Sequence, residues 1–338
     1  MPVDPYLAAL PKVELHVHLE GSVDAATASA LAEAHGEDPA AVLELEHGAY
    51  PRRFRDFDHF VATFLATSGL VRTPDDLATI AAAFARGQAA QQVRWTEVTF
   101  TALTLVRQGM EPRAMFQAVA DGFAEVPDTQ VGLIIDSIRN LGVDASHETL
   151  ALVETYGDEA PIVGLGLTGI EGSVDERDFA HLRTAADRLG LGLAVHAGET
   201  GSPDNVRAAL DDLGADRIGH GIAAVRDADL LARLVRDATP LEICPSSNVT
   251  LSLVDDLDAH PLPELWAAGA NVTINSDDPP FFSTTLTAEL DHARRLCALE
   301  RRDLAELQRR AIRASFAPEA LQRDILARID AWAVGSSL

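Results

Sequence analysis

Short aliphatic and β-branched runs, each bounded by glycine, proline or polar turns, recur along the chain as VELHVHL, RWTEVTF, QVGLIID, IVGLGLTG, GLAVHAGE, RIGHG, LEICPSSN and VTINSDDP. Runs of this length and composition predict strands, and their number is the one that a closed barrel of eight parallel strands requires. Between most of them lie Ala/Leu/Arg stretches with helical spacing, such as ERDFAHLRTAADRLG before the fifth and DADLLARLVRDA before the seventh. That alternation predicts an α/β fold, a (β/α)8 TIM-type barrel that takes in residues 1–338 as one domain. Punctuation agrees: Ser202 reads as an N-cap and Pro203 as the first helical residue of NVRAALDDLG, which Gly214 closes.

One connection breaks the rhythm. From about residue 20 to 92 the pattern holds several helices and the aromatic cluster FRDFDHF, with Phe54, Phe57 and Phe60. A connection this long after the first strand predicts a helical insertion, either a lid over the site or surface helices packed on the barrel. The stretch from about 287 to 338 reads as amphipathic helices completing the outer ring.

Composition narrows the partners. With 52 acidic against 27 basic residues the formal net charge is −25, a field that repels polyanions and lacks the basic stripe of a nucleic-acid binder. A small neutral substrate fits better. No apolar run approaches a membrane span, and the opening MPVDPYLAALPKVELHVHLEGS lacks a basic n-region and an apolar h-region, so no membrane partner and a cytoplasmic location are expected. The cysteines, Cys244 and Cys297, form no CxxC pair, so a metal would be held by histidine and carboxylate. Cys244 reads as a buried structural thiol, with no base left over to activate it.

The candidate chemistry stands at strand ends. His16 and His18 lie two apart in the first run, so both imidazoles project from one face of a strand, although spacing alone leaves a structural role open. His196 ends the fifth run, with Glu199 just beyond; His220 ends the sixth; Asp277 and Asp278 end the eighth, before Pro279 and Pro280. In a barrel the carboxyl ends of all strands face one mouth, so these groups are expected to converge there. His35, His47, His59, His147, His181, His260 and His292 fall in helices or loops and read as solvated or packing residues.

Taken in order, PKVELHVHLEGS, VHAGE, IGHG, CPSSN and NSDDP resemble the signatures of the adenosine deaminase family of amidohydrolase-type barrels, over nearly the whole chain. The resemblance implies that His16, His18, His196 and Asp277 hold one zinc ion. Zinc of this kind brings the pKa of a water to about 7, and water so activated would attack C6 of a 6-aminopurine and release ammonia. It further implies that Glu199 gives a proton to ring N1, that His220 orients the attacking water and helps to take its proton, and that Asp277 accepts a hydrogen bond from it. Asp278 would bond the purine near N7, the Gly169 backbone would contact N3, and His18 and Glu20 would line the substrate pocket.

Two positions depart from the adenosine pattern. Glu20 stands where adenosine deaminases carry Asp, as in the adenine deaminase branch, and GLTGIE replaces a DLAGDE-like ending, with Gly166 and Ile170 at two acidic positions. The expected substrate is adenosine or a close relative, with aminodeoxyfutalosine, a 5′-modified menaquinone precursor, or adenine as alternatives. Binuclear amidohydrolases need a lysine on the fourth strand, but the lone lysine, Lys12, precedes the first, so one metal is expected. Cytidine-type deaminases carry a PCxxC motif, which is absent. A non-catalytic purine-binding barrel is the rival from another class.

Overall fold

A computed structural model describes residues 4–200 and 202–335, apart from the side chain of Phe57. Of the aromatic cluster singled out above, Phe57 therefore lies outside the described side chains, as do the extreme ends of the 1–338 domain.

Eight parallel strands follow one another in chain order: β1 Lys12–His18, β2 Val93–Phe100, β3 Gln130–Ile138, β4 Ile162–Thr168, β5 Gly192–Ala197, β6 Arg217–His220, β7 Pro240–Ile243 and β8 Asn271–Ile274. Closure between β8 and β1 is made just beyond the last strand, where Asp277 N–H donates to His16 O at 3.1 Å and His18 N–H donates to Asp277 O at 3.0 Å. The seam of the barrel thus runs through candidate site residues. Outward-facing Val13, Leu15 and Val17 of β1, with Leu133 and Ile135 of β3, are fully covered by the ring of helices, as strands buried on both faces require.

The barrel floor is polar and tied. Arg217 of β6 pairs with Glu97 of β2 at 2.6 Å and with Glu242 of β7 at 2.5 Å, and its guanidinium lies 3.8 Å from the ring centre of Phe316. Removing one partner of such a buried pair would leave an uncompensated charge.

Two boundaries and one cap differ from the sequence reading. LEICPSSN is strand only to Ile243, and a helix, Pro245–Thr250, begins at the proline. Proline fits a first helical turn but not a central strand. Lys12 opens β1 instead of preceding it, with Nζ donating to the carbonyls of Ala8, Leu10 and Gln91. Pro203 does open a helix, Pro203–Asp211, but the Ser202 side chain makes no capping hydrogen bond.

The 20–92 stretch holds the helices Ala25–Ala34, Pro39–Val42, Phe57–Ser68 and Pro74–Ala90. Pro74–Ala90 carries a full capping box at Thr73 and Asp76 and packs on β2 as an ordinary outer helix. Ahead of it, Tyr50, Phe54 and Phe60 join Phe281 and Phe282 in a separate apolar cluster, with Tyr50 stacked on Phe281 at 4.1 Å. The insertion is therefore seated on the segment that follows Asp278. Beyond β8 come helices Leu286–Leu296, Arg301–Ala314 and Glu319–Ala333, the second of which lies against β1 and β8. No helix among the described residues is long and apolar enough to cross a membrane.

Candidate active site

The strand ends bring His16, His18, His196 and Asp277 together, with one ligand-type atom from each lying within 4.8 Å of all the others. Asp277 Oδ1 is 3.4 Å from His16 Nε2 and 3.2 Å from His18 Nε2. The His196 ring centre lies 4.4 Å from that of His16 and 5.3 Å from that of His18. His16 Nε2 is buried and makes no hydrogen bond, a costly arrangement unless something else binds there. Three imidazole nitrogens and one carboxylate oxygen form a donor set suited to a tetrahedral divalent ion, so the residues present fit a single metal.

Two backbone positions carry strain at the site. His220 and Asp277 adopt left-handed φ values of 60° and 63°, which non-glycine residues rarely take and which cluster at functional sites. The turns beside them use glycine: Gly198 and Gly169 have φ of 71° and 89°, and a Cβ on Gly169 would sit 2.6 Å from Asn140 Oδ1.

The other titratable groups singled out in the sequence surround the donor set. His220 Nε2 is 3.7 Å from Glu199 Oε1 and 4.0 Å from Asp277 Oδ2. Burial, with Asp277 and Glu171 nearby, pushes Glu199 up to about 8. Asp278 is raised by burial and by Asp277, so burial and the neighbouring carboxylates favour the protonated form of both. Burial alone would raise Asp277 too, but the adjacent His16 and His18 hold it well below the carboxylate range. His196, lowered by burial and by the neighbouring imidazoles, is neutral and has a lone pair to offer. Glu20 is buried and accepts from Thr101 N–H at 3.0 Å, and burial followed by Asp136 brings it to about 7. Cys244 is buried, and burial keeps its thiol protonated.

Several supporting residues escaped the sequence reading. Glu242 Oε2 lies 2.9 Å from His16 Nδ1 and is itself held by Arg217, the carboxylate–histidine arrangement that orients metal ligands. Glu171 accepts from the backbone N–H groups of Gly198, Glu199 and Thr200 at 2.6, 2.7 and 3.2 Å, fixing the loop that carries Glu199. Buried Arg139 donates to the carbonyls of Gly169 and His196 and pairs with Glu176. His260, read as a solvated or packing residue, is buried and hydrogen-bonded to Asn248. A cavity of about 630 Å³ opens beside Glu199, between the loops after β5, β6 and β7, and His260 lines it.

A parallel barrel whose mouth gathers a donor set able to hold a metal, a buried carboxyl and a buried imidazole has the layout of an amidohydrolase-type hydrolase. Comparison with known proteins narrows the class, for the family model described as Adenosine deaminase matches residues 11–332. The chain belongs to that family and is a hydrolytic deaminase acting on the C–N bonds of cyclic amidines. Among relatives, an aminodeoxyfutalosine deaminase of Streptomyces avermitilis is 38% identical over 97% of this chain and 92% of its own. An adenine deaminase of Rhodospirillum rubrum is 36% identical over 98% and 99%. Among solved structures, the adenine deaminase from Arthrobacter aurescens superposes with a TM-score of 0.87 at 31% identity, covering 96% of this chain and all of that one.

Proposed function

We propose that this chain is a zinc-dependent deaminase that hydrolyses the 6-amino group from a 6-aminopurine nucleoside, with a 5′-modified nucleoside of the aminodeoxyfutalosine type as the leading substrate. The carrying observation is the convergence of His16, His18, His196 and Asp277 within 4.8 Å, with Glu199 beside His220 at the same mouth. Those four residues would hold the zinc, which supplies the ability to ionise water near neutral pH.

The chain's own groups do the rest. Glu199 donates its proton to ring N1 as C6 is attacked, because the electrons of the breaking π-bond move onto that nitrogen. Asp278, holding a proton, donates to N7, whose lone pair can only accept. The Gly169 N–H serves N3, His18 and Glu20 bound the pocket, and His220 faces the attacking oxygen. Loss of ammonia leaves a 6-oxopurine.

The sequence put adenosine first, but the relatives described above are named for aminodeoxyfutalosine and adenine, and adenosine becomes the third substrate to test. The 38% relative and the departures at Gly166 and Ile170 favour a modified nucleoside. Burial of Glu20 against Thr101 favours free adenine as a second reading. A cytoplasmic location goes with either. The test is ammonia release by zinc-loaded protein from aminodeoxyfutalosine, adenine and adenosine. Turnover of adenine alone would refute the nucleoside assignment, and no turnover of any aminopurine would refute the reaction.

A further inference from the structure

His220 is tied to the cavity beside Glu199 through two residues that the reading above does not use, Asn248 and His260. The tie has a direction, and a backbone group sets it. Leu262 N–H donates to His260 Nδ1 at 3.0 Å. A peptide N–H has nothing to accept with, so His260 Nδ1 carries the lone pair and the one proton of the neutral ring is on Nε2. Burial, with His220 nearby, brings His260 down to about 4, so the ring is neutral at pH 7.

From there each partner is forced. His260 Nε2 lies 3.1 Å from Asn248 and must donate, so the amide atom facing it is Oδ1. Asn248 Nδ2 then faces His220 Nδ1 at 3.4 Å. An amide N–H only donates, so His220 Nδ1 is the acceptor and the ring proton of His220 is on Nε2. The orientation of the amide follows from the network and is not a free choice. His220, Asn248 and His260 are 1%, 0% and 3% exposed, so bulk water does not compete for these bonds.

We propose that Asn248 and His260 are positioning residues that lock His220 in the Nε2–H tautomer, making it a hydrogen-bond donor to the attacking oxygen and not the acceptor of its proton. The inference rests on the reading of His220 as the group that faces that oxygen, and it revises the role expected from the sequence, in which His220 helps to take the proton. An Nε2 that already bears hydrogen has no lone pair to offer. The O–H bond of the attacking water must then break toward a carboxylate. Glu199, having given its own proton to N1, has an oxygen free to form the new O–H bond, and it lies on the same side of His220. The oxygen loses one proton, N1 gains one, and Glu199 ends protonated as it began.

The test uses zinc-loaded protein labelled with 15N-histidine, in which the His220 ring signals are assigned by their loss in His220→Gln. In the wild type the multiple-bond correlation pattern should be that of an Nε2–H imidazole. Asn248→Asp keeps the shape but replaces the donating amide by an accepting carboxylate, so His220 should switch to Nδ1–H. Its kcat should fall by about 10² with metal content and KM nearly unchanged, on the scale expected when a preorganised donor is lost. His260→Ala, which frees the amide to rotate, should give a mixture of tautomers and an intermediate kcat. An Nδ1–H pattern in the wild type would overturn the proposal, as would wild-type kcat in Asn248→Asp with the tautomer inverted. The wild-type spectrum decides even if a variant does not fold. Full activity in His220→Gln would instead remove the underlying reading of His220, whatever tautomer the spectrum showed.

Discussion

Gly21 offers a steric test of Asp278. A Cβ built on Gly21 would lie 1.6 Å from Asp278 Oδ1 and 2.6 Å from its Cγ. The φ of Gly21 is outside the left-handed region, so alanine carries no backbone penalty there and the whole effect is the collision. To recover an ordinary contact of 3.4 Å from 1.6 Å, the carboxyl oxygen must retreat by about 1.8 Å. That is enough to break the hydrogen bond proposed for it to N7, and misplacements on the order of 1 Å can cost about 10²-fold. Gly21→Ala should therefore lower kcat/KM by about 10- to 100-fold, or roughly 1.4 to 2.8 kcal/mol. The metal should stay, because Asp277 is held by its own backbone bonds to His16 and His18. The assay is steady-state ammonia release with metal analysis, run in wild-type and Asp278→Ala backgrounds. With the carboxyl already removed, Gly21→Ala should cost less than about 2-fold. Equal losses in both backgrounds, with coupling below about 0.5 kcal/mol, would refute the reasoning.

Other substitutions separate the remaining roles. Glu199→Gln should retain metal yet lose at least about 10² in kcat, since it removes the transferable proton; a near wild-type rate would take Glu199 out of its role. Glu242→Gln should weaken zinc about 10- to 100-fold in a chelator competition by loosening His16, and an unchanged Kd would show that Glu242 does not orient it. Gly166→Asp should destabilise the fold by about 1–3 kcal/mol in urea unfolding, because a Cβ there sits 3.1 Å from both Asp136 Cβ and Ile134 Cγ2. Adding Asp136→Gly, which removes that Cβ, should restore part of the loss, and failure to do so would mean that the two positions do not share one space.

The residues of the candidate metal cluster were legible because each marks a strand end with a residue that an apolar strand does not otherwise carry. His16 and His18 share a face by period two, and the topology of a parallel barrel collects the other ends at the same mouth. The groups that hold those ligands were not legible. Glu242 meets His16 only because β7 and β1 come together across the closed barrel, and Arg217 reaches Glu97 across its floor. No local pattern encodes such distances. Two missed features did leave signals. Pro245 marks where the seventh strand must stop, and the glutamate of LTGIE, Glu171, stands just past Gly169 at a mouth where a carboxylate can cap exposed N–H groups.

The departure at Gly166 illustrates what position-by-position comparison cannot see. Read along β4, the chain lacks an acidic group that the adenosine pattern supplies. In the sheet, however, Asp136 of β3 is the register partner of Gly166, and its Cβ occupies the space that a side chain at 166 would need. Asp136 accepts a hydrogen bond from Thr168 Oγ1, is buried, keeps Oδ1 without a hydrogen bond, and raises Glu20 by its charge. The carboxylate is therefore present and enters from the neighbouring strand, about 4.8 Å away. Burial raises Asp136 as well, against the lowering by its bond from Thr168 and by His18. A missing acid at Gly166 thus counts against a particular residue and not against a polar substituent on the substrate.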